Sequence, residues 1–250
     1  MKFDAPKGII IAGHRGNPAL APENTLASFA SAIECGVDMI ETDIRISKDG
    51  ELVLMHDEDV KRTTDGCGRV RDMSLKQLKT LDAGAGQQIP TLTELLNLCK
   101  PHKNMLFDLE IKVYKKEDGE EAVAHAVDKT AQLADEYGIS DKVIINSFDA
   151  YVLEYTRKKY GRKFLIHGYY PYGILGQNMT VSPNEYLDYA CYWGQGEQAK
   201  RVCDYLLSHG IMPCTGSRST PQIFADAVKF GCQMFTENDP KTVLSWRDKL

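Results

Sequence analysis

The chain has 250 residues, 43% of them hydrophobic and 26% charged, a composition typical of a folded soluble domain and not of a disordered, collagenous or coiled-coil chain. Its 30 basic and 35 acidic residues give a formal net charge of −5, so nucleic acid is not an expected partner. No segment approaches the roughly 18 apolar residues of a membrane-spanning helix, and residues 1–6 lack a signal-peptide pattern, so stable membrane insertion is not expected.

Eight short apolar segments of strand length occur along the chain, at residues 8–12, 37–44, 105–111, 142–146, 163–167, 189–192, 210–214 and 232–235. Most of them precede a segment with helical spacing. After the first, apolar residues recur with a helical period over 26–33, with Asn24 or Thr25 placed to cap the helix and Gly36 just beyond its end. Further helices are predicted over 92–99, 120–137, 149–160, 197–209 and 221–230.

This alternation, repeated about eight times in a chain of this length, is typical of a (β/α)8 TIM barrel. The competing fold, a doubly wound open sheet, would have a glycine-rich turn after the first strand, where this chain has His14 and Arg15. The segment between the second strand and Leu106 is too long for one crossover. We therefore expect residues 51–90 to form a hairpin arm and a small insertion within a single domain over 1–250.

The seven cysteines are widely spaced, and no two of them form a C-x-x-C pair. This pattern argues against a disulfide framework and against a zinc site, and it suits buried thiols in a reducing compartment. We therefore expect a cytoplasmic protein; a secreted or periplasmic location would require that a leader had been removed. Cys214, at the end of an apolar segment, is interpreted as a small buried residue, with a place on a pocket wall as the alternative.

Two pairs of polar residues are placed where a parallel barrel carries its functional groups, at the carboxyl ends of strands. Glu41 and Asp43 are two residues apart on the second predicted strand and so share a face, and Glu110 and Lys112 repeat this geometry on the third. If that face is the barrel interior, three carboxylates converge and need a cation between them. Oxygen ligands favour Mg²⁺ or Ca²⁺ over zinc. The alternative is that Glu41 and Asp43 pair with basic residues on the surface.

Histidines and fixed cations accompany these carboxylates. His14 and His56 each end a strand-like segment, and imidazole titrates near neutrality, so the two can serve as acid and base. Arg15 and Lys112 add two positive charges. Such a set suits metal-assisted hydrolysis of a phosphoester, because the cations stabilise the developing negative charge while the imidazoles move protons.

Short motifs follow one another in a fixed order along the first half of the chain, namely His14-Arg15-Gly16, Pro22-Glu23-Asn24-Thr25, Glu41-Thr42-Asp43-Ile44, His56-Asp57 and Arg62-Thr63-Thr64-Asp65-Gly66, with Glu110-Ile111-Lys112 and Ser147-Phe148 further on. Several spaced motifs in the right order are far more specific than one. This series resembles the glycerophosphodiester phosphodiesterase family, almost without a gap over residues 13–81.

The resemblance implies a TIM-barrel enzyme that uses one divalent metal, Mg²⁺ or Ca²⁺, to hydrolyse small-molecule glycerophosphodiesters to sn-glycerol 3-phosphate and an alcohol. By motif position it implies metal binding by Glu41, Asp43 and Glu110, acid and base roles for His14 and His56, and phosphate contacts by Lys112 and by Arg15, which is also counted among the catalytic residues. Which histidine is the acid, and whether water or a substrate hydroxyl is the nucleophile, stay open.

The C-terminal part departs from the family pattern. The seventh predicted strand ends in Cys214-Thr215-Gly216-Ser217, where the family usually carries a tryptophan and an asparagine. Because this region shapes the part of the pocket that holds the alcohol or glycerol moiety, the head group stays open. Trp193 is the candidate for an aromatic wall of the substrate pocket, with plain packing as the alternative. His167, at the end of the fifth predicted strand, is interpreted as a histidine satisfied by a neighbouring carbonyl, with a position facing the pocket as the alternative.

Two other functions stay open as alternatives. One is a phosphoinositide- or sphingomyelin-type phospholipase on the same barrel, which should present an apolar membrane-binding rim. The other is a non-catalytic barrel that binds phosphoesters. Loss of His14, His56 or a metal-binding carboxylate would favour the binding barrel, and all of them are present.

Overall fold

The computed structural model describes residues 3, 5–216 and 220–250, and within them eight parallel strands close into a barrel. The strands are β1 (Ile10–His14), β2 (Met39–Ile46), β3 (Leu52–Leu54), β4 (Leu106–Ile111), β5 (Val143–Asn146), β6 (Leu165–Tyr170), β7 (Tyr189–Tyr192), β8 (Met212–Gly216) and β9 (Met234–Glu237). All except β3 form the barrel, in chain order, and β1 closes it by pairing with both β9 and β2. The predicted (β/α)8 TIM barrel is confirmed.

Nine α-helices in the described part of the chain surround or flank this sheet. They are α1 (Leu26–Cys35), α2 (Leu75–Leu78), α3 (Leu92–Cys99), α4 (Lys115–Asp118), α5 (Glu120–Glu136), α6 (Ala150–Tyr160), α7 (Gly196–Ser208), α8 (Pro221–Lys229) and α9 (Pro240–Arg247). The side chain of Thr25 caps α1 by accepting from the backbone N–H of Ser28, and Gly36 ends the helix at φ +84°. No helix among the described residues is long and apolar enough to cross a membrane.

Both faces of the barrel sheet are buried. The interior of the barrel is filled by an apolar cluster that comprises Ile10, Ala12, Met39, Leu106, Ile144, Leu165, Tyr189, Cys214 and Met234. The alternate residues, such as Ile11 and Phe107, pack between the sheet and the helices. Since side chains alternate along a strand, residues two and four positions after Met39 and Leu106 face the interior above this cluster. These positions are Glu41, Asp43, Asp108 and Glu110, so the fold itself places carboxylates at the top of the barrel.

The segment between β2 and β4 extends the barrel on one side. Strand β3 pairs antiparallel with the end of β2, with Leu54 opposite Ile44 and Leu52 opposite Ile46. The insertion that follows has a small core of its own, formed by Val53, Met55, Val60, Val70, Leu78, Ala83 and Ile89. This hairpin brings the loop after β3, and with it His56, over the rim of the barrel. The extent of the single domain, 1–250 with its arm at 51–90, stays a prediction.

Candidate active site

A cavity of about 640 Å³ opens at the carboxyl ends of the barrel strands. Seven of the eight predicted site residues line it, namely His14, Arg15, Glu41, His56, Glu110, Lys112 and Trp193. The eighth, Asp43, lies fully buried behind them. Residues that are distant in the sequence thus meet at one cavity, as the positions of the strand ends predict.

Glu41, Asp43 and Glu110 form a compact carboxylate cluster, in which one oxygen of each lies within 4.8 Å of the others. The register of β2 and β4 explains this, because Asp43 pairs directly with Glu110. The Lys112 ammonium lies 2.5 Å from Glu110 Oε1 and 3.3 Å from Asp43 Oδ1. Asp43 Oδ1 is nevertheless buried without a hydrogen-bond donor among the described residues. Buried carboxylate oxygens at this spacing, with hydrogen-bonding capacity still unfilled, fit a hard divalent cation.

Burial and mutual repulsion set the charge state of the carboxylate cluster. Desolvation, reinforced by Asp43 and Glu110, raises the pKa of Glu41 well above its usual value. Desolvation also raises the pKa of Glu110 to about 7, although the Lys112 ammonium opposes it. Burial would raise the pKa of Asp43 as well, but Lys112 and Arg15 outweigh that effect and lower it. A divalent cation would favour the fully ionised cluster.

The turn after β1 orients two of these carboxylates. Arg15 and Asn24 adopt left-handed backbone conformations, with φ of 56° and 54°, which non-glycine residues rarely take. The backbone N–H of Arg15 donates to Glu41 Oε2 at 2.8 Å, and the Asn24 amide donates to Asp43 Oδ2 at 2.8 Å. The strained conformations therefore place donors on the outer side of the carboxylate cluster.

His14 stands at the end of β1 with one ring nitrogen fixed. Its Nδ1 lies 2.6 Å from Oδ1 of Asn238, in the loop after β9, and its Nε2 lies 4.0 Å from Glu41 Oε2. If Nδ1 donates to Asn238, Nε2 carries the lone pair. Desolvation and the nearby Arg15 guanidinium lower the pKa of His14. The ring is then neutral near pH 7 and can accept a proton.

His56 is fixed in the same manner by the arm. Its Nδ1 lies 2.6 Å from Asp57 Oδ1, and Asp57 Oδ2 in turn accepts from Arg62 Nε at 2.5 Å. Arg62 also donates to both carboxylate oxygens of Glu23, which ties the arm to the turn after β1. Desolvation and the Lys112 charge lower the pKa of His56, although nearby carboxylates oppose them.

The two predicted phosphate-binding cations border both the carboxylate cluster and the cavity. Arg15 Nε lies 3.2 Å from Asp43 Oδ2, and Arg15 Nη1 lies 2.9 Å from Glu23 Oε1. Lys112 is 95% buried, and its ammonium is held by Glu110 and Asp43 as described above. Both cations thus sit where an anionic diester beside a bound metal would need positive charge.

Trp193 belongs to a wall of three stacked aromatic rings. Its ring lies 5.7 Å from that of Tyr169, and the Tyr169 ring lies 3.5 Å from that of Phe148, centroid to centroid. All three residues line the cavity, while Trp193 remains 53% exposed. The end of β8 is the segment that lacks the tryptophan implied by the resemblance. Gly216 of that segment also lines the cavity, and Ser217 lies outside the described residues.

The cavity floor contains polar residues that sequence reasoning missed or misread. His167 Nδ1 lies 2.9 Å from Asp108 Oδ2, so the expectation that a carbonyl satisfies His167 is wrong. Asp108 could have been found, because it precedes Glu110 by two residues on β4 and so shares its face. Asn238 gave no such signal, because its contact with His14 depends on the pairing of β1 with β9, 224 residues away in sequence.

Comparisons with known proteins show which family this chain resembles. The model of the glycerophosphoryl diester phosphodiesterase family matches residues 14–207. A glycerophosphodiester phosphodiesterase of Caldanaerobacter subterraneus subsp. tengcongensis is 42% identical over 159 residues, which cover 61% of this chain and 63% of the relative. The matched part therefore spans less than two thirds of that relative's length.

Solved structures share the fold over nearly the whole chain. A phosphodiesterase of Oleispira antarctica, in complex with the product sn-glycerol-3-phosphate, has a TM-score of 0.79 at 22% identity and covers 96% of each chain. A glycerophosphodiester phosphodiesterase of Agrobacterium tumefaciens str. C58 has a TM-score of 0.74 at 21% identity and covers 95% of this chain and 99% of its own. Since the family model also matches most of the sequence, the chain belongs to the glycerophosphoryl diester phosphodiesterase family.

Proposed function

We propose that the protein is a metal-dependent phosphodiesterase that hydrolyses glycerophosphodiesters to sn-glycerol 3-phosphate and an alcohol. The observation that carries the proposal is the meeting of three buried carboxylates, two imidazoles and two cations at one cavity. Family membership and the product bound to the Oleispira relative support the same substrate class.

Glu41, Asp43 and Glu110 would hold one divalent cation. The donor set consists of carboxylate oxygens alone, which favours Mg²⁺ or Ca²⁺ over softer ions. A bound cation would supply electrophilic stabilisation of the phosphoryl oxygens. Arg15 and Lys112 add positive charge beside it, so the cavity is built to attract and orient a diester anion.

His14 and His56 would carry the protons of the reaction. With Nδ1 of each ring fixed by an acceptor, Nε2 of each is available to the cavity. One ring, in its neutral form, takes the proton from the attacking hydroxyl group. The other ring first takes up a proton from solvent as the anionic diester binds beside it, and then gives that proton to the oxygen of the departing alcohol as the phosphorus–oxygen bond breaks. The attacking hydroxyl belongs either to water or to the glycerol moiety itself, through a cyclic phosphate.

A second candidate, a phospholipase acting on lipid surfaces, is favoured by one observation. Large apolar side chains are exposed in loops that follow barrel strands, namely Leu20, Ile174, Met179, Val181 and Trp193. Trp193 itself lines the cavity, and the loops that follow barrel strands begin at the same end of the barrel. These side chains would suit a rim that meets a lipid surface while the cavity takes the head group.

The test measures release of sn-glycerol 3-phosphate from a panel of glycerophosphodiesters, with EDTA and with added Mg²⁺ or Ca²⁺. We expect metal-dependent release that His14→Ala and Glu41→Ala abolish. The exposed residues His102 and Glu121 provide matched controls, and His102→Ala and Glu121→Ala should retain the wild-type rate.

Each other outcome has its own meaning. No release from any diester with any metal would refute the proposed substrate class. Cleavage of phosphoinositide or sphingomyelin in vesicles, without cleavage of the small diesters, would establish the second candidate. Binding of the diesters without turnover would indicate a non-catalytic barrel.

A further inference from the structure

A second group of metal-ligand side chains lies on the other half of the barrel, on the cavity floor. It consists of His167 on β6, Cys191 on β7 and Cys214 on β8, whose ligand atoms all lie within 4.8 Å of one another. Register brings them together, because Cys191 pairs directly with Cys214 across β7 and β8. We call this group the thiol–imidazole cluster.

The imidazole of this cluster is already oriented as a ligand. His167 Nδ1 is held 2.9 Å from Asp108 Oδ2, and His167 Nε2 points at Cys214 Sγ, 3.2 Å away. A carboxylate on the far nitrogen is the usual support of a metal-binding histidine, since it fixes which nitrogen faces the metal. Tetrahedral coordination by zinc places sulfur and nitrogen ligands roughly 3.5–3.8 Å apart. The cluster therefore needs only small side-chain adjustments to reach that geometry.

We propose that His167 Nε2, Cys191 Sγ and Cys214 Sγ bind one thiophilic divalent cation, with Zn²⁺ as the typical occupant. Two sulfur ligands and one nitrogen ligand favour zinc-like ions and disfavour Mg²⁺ and Ca²⁺, so this site differs chemically from the carboxylate cluster. His167 and Cys191 line the cavity, which leaves the fourth coordination position facing it. As the metal–ligand bonds form, the two thiol protons and the proton on His167 Nε2 pass to solvent, while His167 Nδ1 keeps its hydrogen bond to Asp108.

The site has no sequence motif, because each of three successive strands supplies one ligand. The wide cysteine spacing argues against a zinc site only when neighbouring residues are expected to supply the ligands. Here the pairing of neighbouring barrel strands brings the ligands together, as the short spacing of a C-x-x-C pair does in other sites. The proposal rests on the geometry of the cluster alone and does not depend on phosphodiester hydrolysis.

The test uses Co²⁺ as a spectroscopic substitute for zinc. We expect one equivalent of Co²⁺ to give a sulfur-to-metal charge-transfer absorption that Zn²⁺ displaces. Cys191→Ser and Cys214→Ser should each weaken the binding at least tenfold. The exposed Cys67 is the matched control, and Cys67→Ser should bind as wild type does, as should Glu41→Gln, which alters only the carboxylate cluster.

Zinc K-edge absorption of the wild-type protein, loaded with one equivalent of Zn²⁺, removes any dependence on whether the variants fold. We expect two sulfur neighbours at about 2.3 Å. A zinc ion surrounded only by oxygen and nitrogen, the absence of the cobalt–sulfur absorption, or an equal loss in Cys67→Ser would each overturn the proposal.

Discussion

The carboxylate cluster and the thiol–imidazole cluster each bring three candidate metal ligands together within the same barrel. Each gathers three ligand atoms within 4.8 Å, and each has a polar neighbour that orients one member, Asn24 for Asp43 and Asp108 for His167. They differ in the donor atoms, which are hard oxygens on β2 and β4 and softer sulfur and nitrogen on β6 to β8. The barrel thus fixes where ligands meet, and residue type decides which cation they suit.

The two clusters also differ in electrostatics. The carboxylates repel one another, and the Lys112 and Arg15 charges, together with the Asn24 amide, offset part of the cost of burying them. The Cys214 thiol carries no such charge, because desolvation raises its pKa well above its usual value. Without metal, the carboxylate cluster therefore costs stability, whereas the thiol–imidazole cluster combines the neutral Cys214 thiol with the ion pair of His167 and Asp108.

The largest expected effect is on kcat, and it distinguishes the carboxylate side of the barrel from the thiol side. His56→Gln should lower kcat by about 10²–10⁴-fold, the usual contribution of a general acid or base. His167→Gln should lower it less than about tenfold, since His167 has no proton-transfer role in the proposed reaction. Initial rates at saturating diester and metal measure both.

His102→Gln serves as the control for the loss of an imidazole, because His102 is exposed and far from the cavity. Equal losses in His56→Gln and His167→Gln would contradict the assignment of the chemistry to the carboxylate side. The cavity floor would then have to take part in the reaction.

A second pair of variants tests whether each cluster depends on its own support. Loss of a residue that orients a ligand typically costs about 10–100-fold in metal affinity. Asn24→Ala should raise the Mg²⁺ or Ca²⁺ concentration for half-maximal activity by that factor and leave Co²⁺ binding by the thiol–imidazole cluster unchanged. Asp108→Asn should weaken Co²⁺ binding by the same factor. If either variant affected both metals equally, the two clusters would not be separate sites.

Sequence alone predicts the carboxylate side better than the thiol side, and the reason is physical. Glu41 and Asp43 lie two residues apart on one strand, so their common face follows from strand geometry, and Glu110 needs only one neighbouring strand. The alternation of strands and helices likewise gives the barrel, with the predicted helix ends within one residue of those observed.

Contacts that depend on the height of residues on different strands could not be predicted. The meeting of Cys191 with Cys214 depends on the register of β7 against β8, and the Asp108–His167 pair joins β4 to β6 across β5. Periodicity shows which face of a strand is inward, but not which inward residues of other strands lie at the same height. The sequence predicts Cys214 as a small buried residue, which the structure confirms, but it does not predict which side chains lie beside it.

Removing one charge should stabilise the metal-free protein. Burial and repulsion raise the pKa of Glu41 above its unfolded value, so its ionised form costs stability that grows as pH rises above about 4.5. In EDTA at pH 8, Glu41→Gln should raise the free energy of unfolding by ~1 kcal/mol, or Tm by about 2–4 °C. Thermal unfolding measures this, with the exposed Glu121→Gln as the unchanged control. A lower Tm in Glu41→Gln would contradict this prediction. It would mean that the poorer packing of the glutamine costs more stability than the charge repulsion of Glu41.

The smallest effect is the titration of three histidines in metal-free protein. Desolvation lowers the pKa of His14 and His56, so their NMR signals should titrate below pH 6.5. His167 is desolvated too, but the Asp108 carboxylate outweighs this and raises its pKa to about 10. Its pairing with Asp108 therefore contributes stability in full below pH 6.5, and the contribution is lost as pH rises toward 10.

Asp108→Asn should move the titration midpoint of His167 below pH 6.5, and the midpoints of His14 and His56 should remain below pH 6.5. A His167 midpoint that does not respond to Asp108→Asn would mean that the carboxylate does not hold this ring, and the support expected for the thiol–imidazole cluster would be missing.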